Sequence, residues 1–520
     1  MELINITVRR GSAEERITAN PKESILAALR GEDYTEPDAP CGGQGTCKKC
    51  TVTVTGRVRS LDGFGEREVE NERLLACRYA PVGDCTVVLT AKEKMNVVTA
   101  GAGTIPGGGE GLGFAVDIGT TTVAAFLYDL KSGVRLGAEG GRNAQRSYGA
   151  DVISRITRAS EGDLPQLRDA IRRQLTAMAE ELCAKNGRSV RELKRIRIAG
   201  NTVMEHLFDG LDPTNIGVAP FTPESLFGDH RPSSDCLPEL DCAADVYLAP
   251  CVAGYVGGDI TAGLVASGAD AAEGLWLYVD IGTNGEMGLG NKDGFVCCAT
   301  AAGPAFEGAE ISCGMDGSAG AIDKVTAVDG DIEVHVIGDG KAVGVCGSGL
   351  IDAIAALLTV GAITEAGRML PPESAPEKIR DRVFRREDGS MAFLLRDGVY
   401  ISAQDIREVQ LAKSAIRAGA ETLLQLEGKT AKDITELVIA GGFGSFIDKR
   451  SALRIGLLPQ VPAEKITNVG NAAGAGAALT LTDAGEAALE AFNGKCTYLE
   501  LSSSHEFMEN YVDYMAFDDE

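Results

Sequence analysis

A short pattern written twice limits, more than anything else, what this chain can become. Phe114-Ala-Val-Asp117-Ile-Gly119-Thr120-Thr121-Thr122 is an apolar strand ending in an acid, then a glycine–threonine turn into a second strand. Leu277-Tyr-Val-Asp280-Ile-Gly282-Thr283-Asn284 repeats it in the second half of the chain. One such run is an ordinary strand and turn. Two copies at domain-sized spacing predict an internal duplication, and therefore two facing lobes. In each copy the turn frees backbone N–H groups to meet a phosphate. Each aspartate, at the inner end of its strand, can hold the shell of a Mg2+ ion or orient a water molecule.

With the two hairpins in place, the chain resembles the acetate-and-sugar-kinase, Hsp70 and actin superfamily of two-lobed ATPases. The run Glu436-Leu-Val-Ile-Ala-Gly441-Gly442-Phe443 is similar to that superfamily's adenosine motif, where missing side chains let a nucleotide lie on the backbone. The small residues of NAAGAGAAL, opening a helix over 471–481, suit a close helix crossing between lobes. Asp259, in a glycine-rich turn, is either a third acid that activates water or a helix cap. Glu307, in Gly303-Pro304-Ala305-Phe306-Glu307-Gly308, either faces metal or nucleotide or sits in a solvated loop. Gly347-Ser348-Gly349 starts a helix whose N–H groups can meet phosphate. The resemblance also implies that Lys413, on a helix from Asp405, touches base or ribose. Leu167, Ile171, Leu175, Met178 and Leu182 recur at helical spacing and ask only for core packing.

The N-terminal segment carries different chemistry. Leu3–Arg10 alternates like a strand and Glu15–Thr18 reads as its hairpin partner, followed by a helix from Ser24 that ends at Gly31. Then comes Cys41-Gly-Gly-Gln-Gly-Thr-Cys47-Lys-Lys-Cys50, a strand, and much later Cys77. Gly42, Gly43 and Gly45 permit the positive φ angles with which a chain wraps around a 2Fe-2S cluster, and they free N–H groups toward sulfur. A structural zinc site is the alternative, but zinc motifs usually pair two knuckles, and here only Cys47 and Cys50 form one. The first cysteine gap is one residue longer than in plant-type ferredoxins and resembles that of adrenodoxin-like ones. The element order predicts a β-grasp ferredoxin fold. Cys85, Cys297 and Cys298 read as core residues.

The expected fold class is therefore α/β: a β-grasp ferredoxin domain (1–92), a flexible Gly-rich linker (93–112), two lobes of a duplicated RNase H-like ATPase (113–270 and 271–482) and an acidic, solvated tail (483–520). A net charge of −25 argues against nucleic acid as a partner. With no long apolar run and no secretory signal, the expected location is cytoplasmic.

Both modules in this order, with the runs AAGPAFEGAEI and REVQLAKSAI, resemble the reductive activators of corrinoid proteins over nearly the whole chain. The resemblance implies one-electron reduction of Co(II) to Co(I) in the corrinoid protein of a methyltransferase system, with a low-potential electron donor upstream. The implied cofactors are a 2Fe-2S cluster on Cys41, Cys47, Cys50 and Cys77, together with ATP and Mg2+. An ATP-driven donor to another low-potential enzyme and a redox-gated small-molecule kinase stand as alternatives. The sequence leaves the oligomeric state, a homodimer included, open.

Overall fold

Alternating strands build the first unit. The computed structural model describes residues 3–518, apart from 12, 33, 35, 36, 38, 40, 46, 64, 90–102, 309 and 443. Ile6 and Val8 of β1 (Ile4–Arg10) face inward, and β2 (Ala13–Ala19) pairs antiparallel with Ile17 opposite Ile6. Ser24 caps α1 (Ile25–Gly31), its hydroxyl accepting the Ala27 N–H at 3.1 Å. The strands β3 (Thr51–Ser60), β4 (Glu66–Leu75) and β5 (Tyr79–Leu89) complete a sheet of order β2-β1-β5-β3-β4, with β1 and β5 parallel. Ile25, Leu26 and Leu29 of α1 are buried in this unit's core, as is Cys85 on β5.

The segment expected to be a free linker is only partly so described. Residues 93–102 lie outside the described residues, but 103–111 are strapped to the first lobe. Thr104 bridges to Val134, the Ile105 N–H bonds the Gly133 carbonyl at 2.9 Å, and Ile105 is buried. The glycines serve close approach here rather than looseness: a Cβ on Gly107 would sit 2.6 Å from the Lys131 carbonyl oxygen.

The duplication predicted from the two hairpins is the architecture of the remainder. In the first lobe β6 (Leu112–Ile118), β7 (Thr122–Asp129) and β8 (Val134–Arg142) run antiparallel. They are followed by α2 (Val152–Arg158), α3 (Leu164–Lys185), β9 (Leu193–Gly200), α4 (Thr202–Asp209), β10 (Asp229–Pro232), α5 (Ser233–Cys236), β11 (Asp245–Leu248) and α6 (Gly258–Ala266). Strand β9 joins β6 in parallel and β11 joins β9, giving the order β10-β11-β9-β6-β7-β8. The apolar stripe of α3 packs into the core of this sheet.

The second lobe repeats the scheme with β12 (Leu275–Ile281), β13 (Gly285–Asn291) and β14 (Gly294–Thr300) antiparallel. Two small three-stranded sheets are inserted: β15 (Ala321–Val328), β16 (Asp331–Val336) and β17 (Gly344–Val345), then, after α7 (Gly347–Thr359), β18 (Val383–Arg385), β19 (Met391–Arg396) and β20 (Val399–Ser402). The long α8 (Ala403–Leu426) precedes β21 (Ile434–Ala440), α9 (Lys449–Arg454), β22 (Ile466–Gly470) and α10 (Ala472–Leu479), and β21 and β22 add in parallel to β12. Helices α6 and α10 cross between the sheets. The contact is close enough that a Cβ on Gly476 would meet the Ala262 carbonyl oxygen at 2.2 Å.

The acidic tail is not a solvated end. It forms α11 (Asp483–Asn493), β23 (Cys496–Tyr498), which pairs parallel with β14, and α12 (His505–Asp513), which packs on α8. It buries a sparse apolar face, Leu489, Phe492 and Phe517, while Glu486 and Asp518 pair with the buried Arg197 and Arg417. Lys413 belongs to this contact and not to a nucleotide. It is fully buried on α8, donates to the Ala516 carbonyl, and lies 5.5 Å from the Phe517 ring centroid. Burial pushes its pKa down to about 8.

Phe517→Ala is therefore expected to lower unfolding stability by about 3 kcal/mol, followed in denaturant through the single tryptophan, Trp276, on β12. Val512→Ala, at a residue 65 % exposed on α12, should change it by less than about 0.5 kcal/mol. Equal, negligible effects would return the segment to the status of a loose tail.

Candidate functional site

The four cysteines stand as two pairs. Cys41 and Cys47 have their sulfurs 3.2 Å apart, and Cys50 and Cys77 are likewise 3.2 Å apart. Two tetrahedral irons each require two thiolates, so this pairing fits a binuclear cluster. A single zinc needs four donors at one point, whereas here the sulfurs close up two by two. Burial pushes the free Cys77 thiol up to about 12, so a thiolate there needs the compensating charge of metal. Gly42, Gly43 and Gly45 have φ of 64°, 94° and 77°, as the wrapped loop demands. Beside Cys77, Arg78 donates to the Gln44 carbonyl at 2.6 Å and pairs with Asp62 at 2.7 Å. A Cβ on Gly45 would strike the Arg78 side chain. The loop leans on the first lobe: the Gly42 backbone lies against the Tyr148 carbonyl, and the Arg30 guanidinium sits 5.1 Å from the Tyr148 ring centroid.

The second site is the cleft between the lobes, with a volume near 520 Å³. Both hairpin turns line it, contributing Asp117, Gly119, Thr120, Thr121 and Thr122 from one lobe and Asp280, Gly282, Thr283 and Asn284 from the other. The turn after β6 is held from behind. Fully buried Arg155 on α2 donates to the Thr120 carbonyl, Asn201 donates to the Thr120 hydroxyl at 2.9 Å, and Asn143 donates to the Gly119 carbonyl at 2.8 Å. The turn after β12 is closed by its own backbone, the Gly282 N–H bonding the Asn284 carbonyl at 3.0 Å. The Thr121 and Thr283 hydroxyls come within 3.4 Å of each other across the cleft.

Glu307 projects between them. Its two carboxylate oxygens each accept a hydroxyl hydrogen bond of 2.8 Å, one from Thr121 and one from Thr283. Gly303 does not line the cleft. With φ of 79° it opens the short turn Pro304–Glu307 that presents Glu307. Gly441 and Gly442 follow β21 into the cleft, and Gly441 has a steric reason to be glycine: a Cβ there would lie 2.6 Å from an Asp280 carboxylate oxygen. Phe443 lies outside the described residues. The start of α7, with Cys346, Gly347 and Ser348, also lines the cleft. Lys413 is remote from all of these, tied to the C-terminal segment as described above.

Asp259, in the first turn of α6, faces Asp117 and Asp280 rather than serving as the cap, which is Gly257. Burial, with Asp259 as charged neighbour, raises Asp117 to about 7 and Asp280 to about 8; burial raises Asp259 itself to about 6. Glu205 and Glu286 are held well above the carboxylate range by the same two causes. Among the described residues the lining contains no lysine or arginine, and one oxygen of buried Glu205 has no hydrogen-bond partner. A divalent cation fits this excess of acid. Glu205, Glu286, Asn201 and Asn471, whose amide donates to Asp117 at 2.9 Å, are participants that motif reading missed. The signal for Asn471 was present, since it opens the small-residue helix.

Anaerobically purified protein is expected to hold two irons and two sulfides, and alanine at Cys41, Cys47, Cys50 or Cys77 should abolish the visible absorbance. Stoichiometric zinc in its place would remove the cluster from this site.

Three family models match in order: a 2Fe-2S iron-sulfur cluster binding domain over residues 8–82, the RACo middle region over 112–272, and the C-terminal domain of RACo, the ASKHA domain, over 274–520. The chain is 36 % identical over 419 residues to the corrinoid activation enzyme RamQ of Eubacterium limosum, covering 78 % of this chain and 70 % of that one. It is 27 % identical over 310 residues, 54 % of each chain, to the Co(II) methylated amine-specific corrinoid protein reductase of Methanosarcina barkeri. A solved structure of a reductive activator for corrinoid, iron-sulfur protein superposes with a TM-score of 0.71 at 30 % identity, covering 98 % of both chains. By domain order, similarity over most of its length and shared architecture, the chain belongs to the family of RACo-type corrinoid activation enzymes.

Proposed function

We propose that this protein restores the Co(I) state of a corrinoid protein from Co(II), using ATP to make a one-electron transfer productive. The observation that carries the reading is the joining, in one chain, of two thiol pairs fit for a binuclear iron site and a duplicated phosphate cleft. The names borne by its relatives point to the same substrate. When bound, the 2Fe-2S cluster supplies a one-electron carrier. A step uphill by roughly 200 mV costs about 5 kcal/mol and leaves its product scarce more than a thousandfold. A nucleotide that binds one lobe arrangement better than the other can offset that cost.

In this reading Gly441 and Gly442 take the adenosine, while Thr121 and Thr283 meet the phosphates. Asp117 and Asp280 hold the shell of a Mg2+ ion, and Asp259 orients a water molecule. The charged residues of the lining are all acidic among those described, which supports the cation, because a triphosphate entering beside so many carboxylates requires neutralisation from outside the protein. The low-potential donor and the corrinoid protein dock on the cluster-bearing unit, and a partner with positive surface suits a chain of net charge −25. No described helix is long and apolar enough to cross a membrane, and we place the protein in the cytoplasm with its partner.

Asp117→Asn and Asp280→Asn are each expected to cut ATP turnover by about a hundredfold or more, with the cluster absorbance unchanged. Near-normal turnover in both would move the phosphate site elsewhere.

Pre-reduced protein mixed with a Co(II) corrinoid protein should give the Co(I) absorbance rapidly only with Mg-ATP. The Cys77→Ala variant should still bind ATP yet deliver no electron. Equal reduction without nucleotide would assign the cleft another task.

A further inference from the structure

We infer that Glu307 is a built-in occupant of the phosphate site, a carboxylate that clasps both phosphate turns until a nucleotide's phosphates replace it. The inference rests on the cleft being the nucleotide site and names what that site holds beforehand.

The geometry is that of a bound anion. One carboxylate fork takes one hydroxyl from each lobe, Thr121 and Thr283, each at 2.8 Å. These are the hydroxyls that the duplicated turns present to phosphate, and at 3.4 Å apart they leave no room for a second anion between them. A phosphate oxygen and the Glu307 carboxylate therefore compete for the same two donors. Both would also feel the positive charge of buried Arg155 behind the first turn. Among the described residues no lysine or arginine of the lining pins Glu307 in place, and its side-chain donors are the neutral hydroxyls of Thr121 and Thr283.

The mounting suits exchange. Glu307 ends a four-residue turn flanked by Gly303 and Gly308, with φ of 79° and 76°. Phe306, 1 % exposed, anchors that turn in the core of the second lobe. Rotation of the Glu307 side chain alone releases both threonines while the turn stays seated. Because the carboxylate joins one lobe to the other, its release also removes a bond across the cleft. Phosphate binding and lobe separation thus share one hydrogen bond, that of Thr121 to Glu307.

The test measures binding of the magnesium complex of a non-hydrolysable imidotriphosphate analogue of ATP, and of adenosine, to the full-length, cluster-loaded protein by calorimetry. Glu307→Gln keeps the shape and removes the charge, and Glu307→Ala removes the clasp. Both variants should bind the analogue about tenfold more tightly than the parent, with adenosine affinity unchanged within about twofold. Unchanged or weaker analogue binding in both variants would make Glu307 a ligand of cation or nucleotide and overturn the proposal. An equal gain for adenosine would also overturn it, by showing a general loosening of the cleft. If parent and variants alike bind neither ligand, the reading of the cleft as a nucleotide site fails, and this inference fails with it.

Discussion

Carboxylates that cannot escape one another govern this molecule. Asp117, Asp259 and Asp280 converge from an edge of each lobe and from the start of α6, with Glu205 and Glu286 behind them and, among the described residues, no cationic side chain in the lining. Burial alone would favour their protonated forms, and mutual repulsion adds to that. Such a centre is tolerable only because the rest of the fold supports it. The two sheets supply rigid strand ends, and the close α6–α10 crossing fixes their spacing. Asn471 then lends an amide to Asp117. The same excess of acid makes a cation-bearing anion the natural guest.

How much of this was legible depended on how local each signal was. The hairpin turns and the cysteine loop could be read because glycine, hydroxyl and acid, or glycine and thiol, must lie close together in sequence to do their work. Glu286, just past the second turn and opposite Asp280 in the β12–β13 pairing, carried an equally local signal but was given no role. Glu205 could not be read, because nothing beside it in the chain marks it and it meets Gly258 at the start of α6 only in the folded lobe. Lys413 misled for the opposite reason. A lysine on a helix of the expected position resembled a nucleotide contact, whereas its ammonium is spent on the Ala516 carbonyl. Composition misled twice more. Acidic residues concealed the buried Leu489, Phe492 and Phe517, and glycines suggested a loose strap where residues 103–111 are tightly laid.

Glycine has two distinct uses in the same chain. In the cysteine loop Gly43 and Gly45 adopt backbone angles that a side chain resists, whereas at Gly441, which does so too, the sharper demand is the Asp280 carboxylate standing where a Cβ would be. At Gly476 the angle is ordinary and the demand is purely one of space between helices. A count of glycines cannot tell these apart, but their neighbours can.

The short helix α2 touches both sites. Arg155 reaches back to the carbonyl of the first phosphate turn, and one turn later Arg158 reaches the loop that carries Cys41 and Cys47, its side chain approaching Gly42. The sequence places the two chemistries a long tether apart, yet in space a single helical turn separates their supports. Arg155 and Arg158 thus brace the cleft and the cysteine loop from one and the same helix.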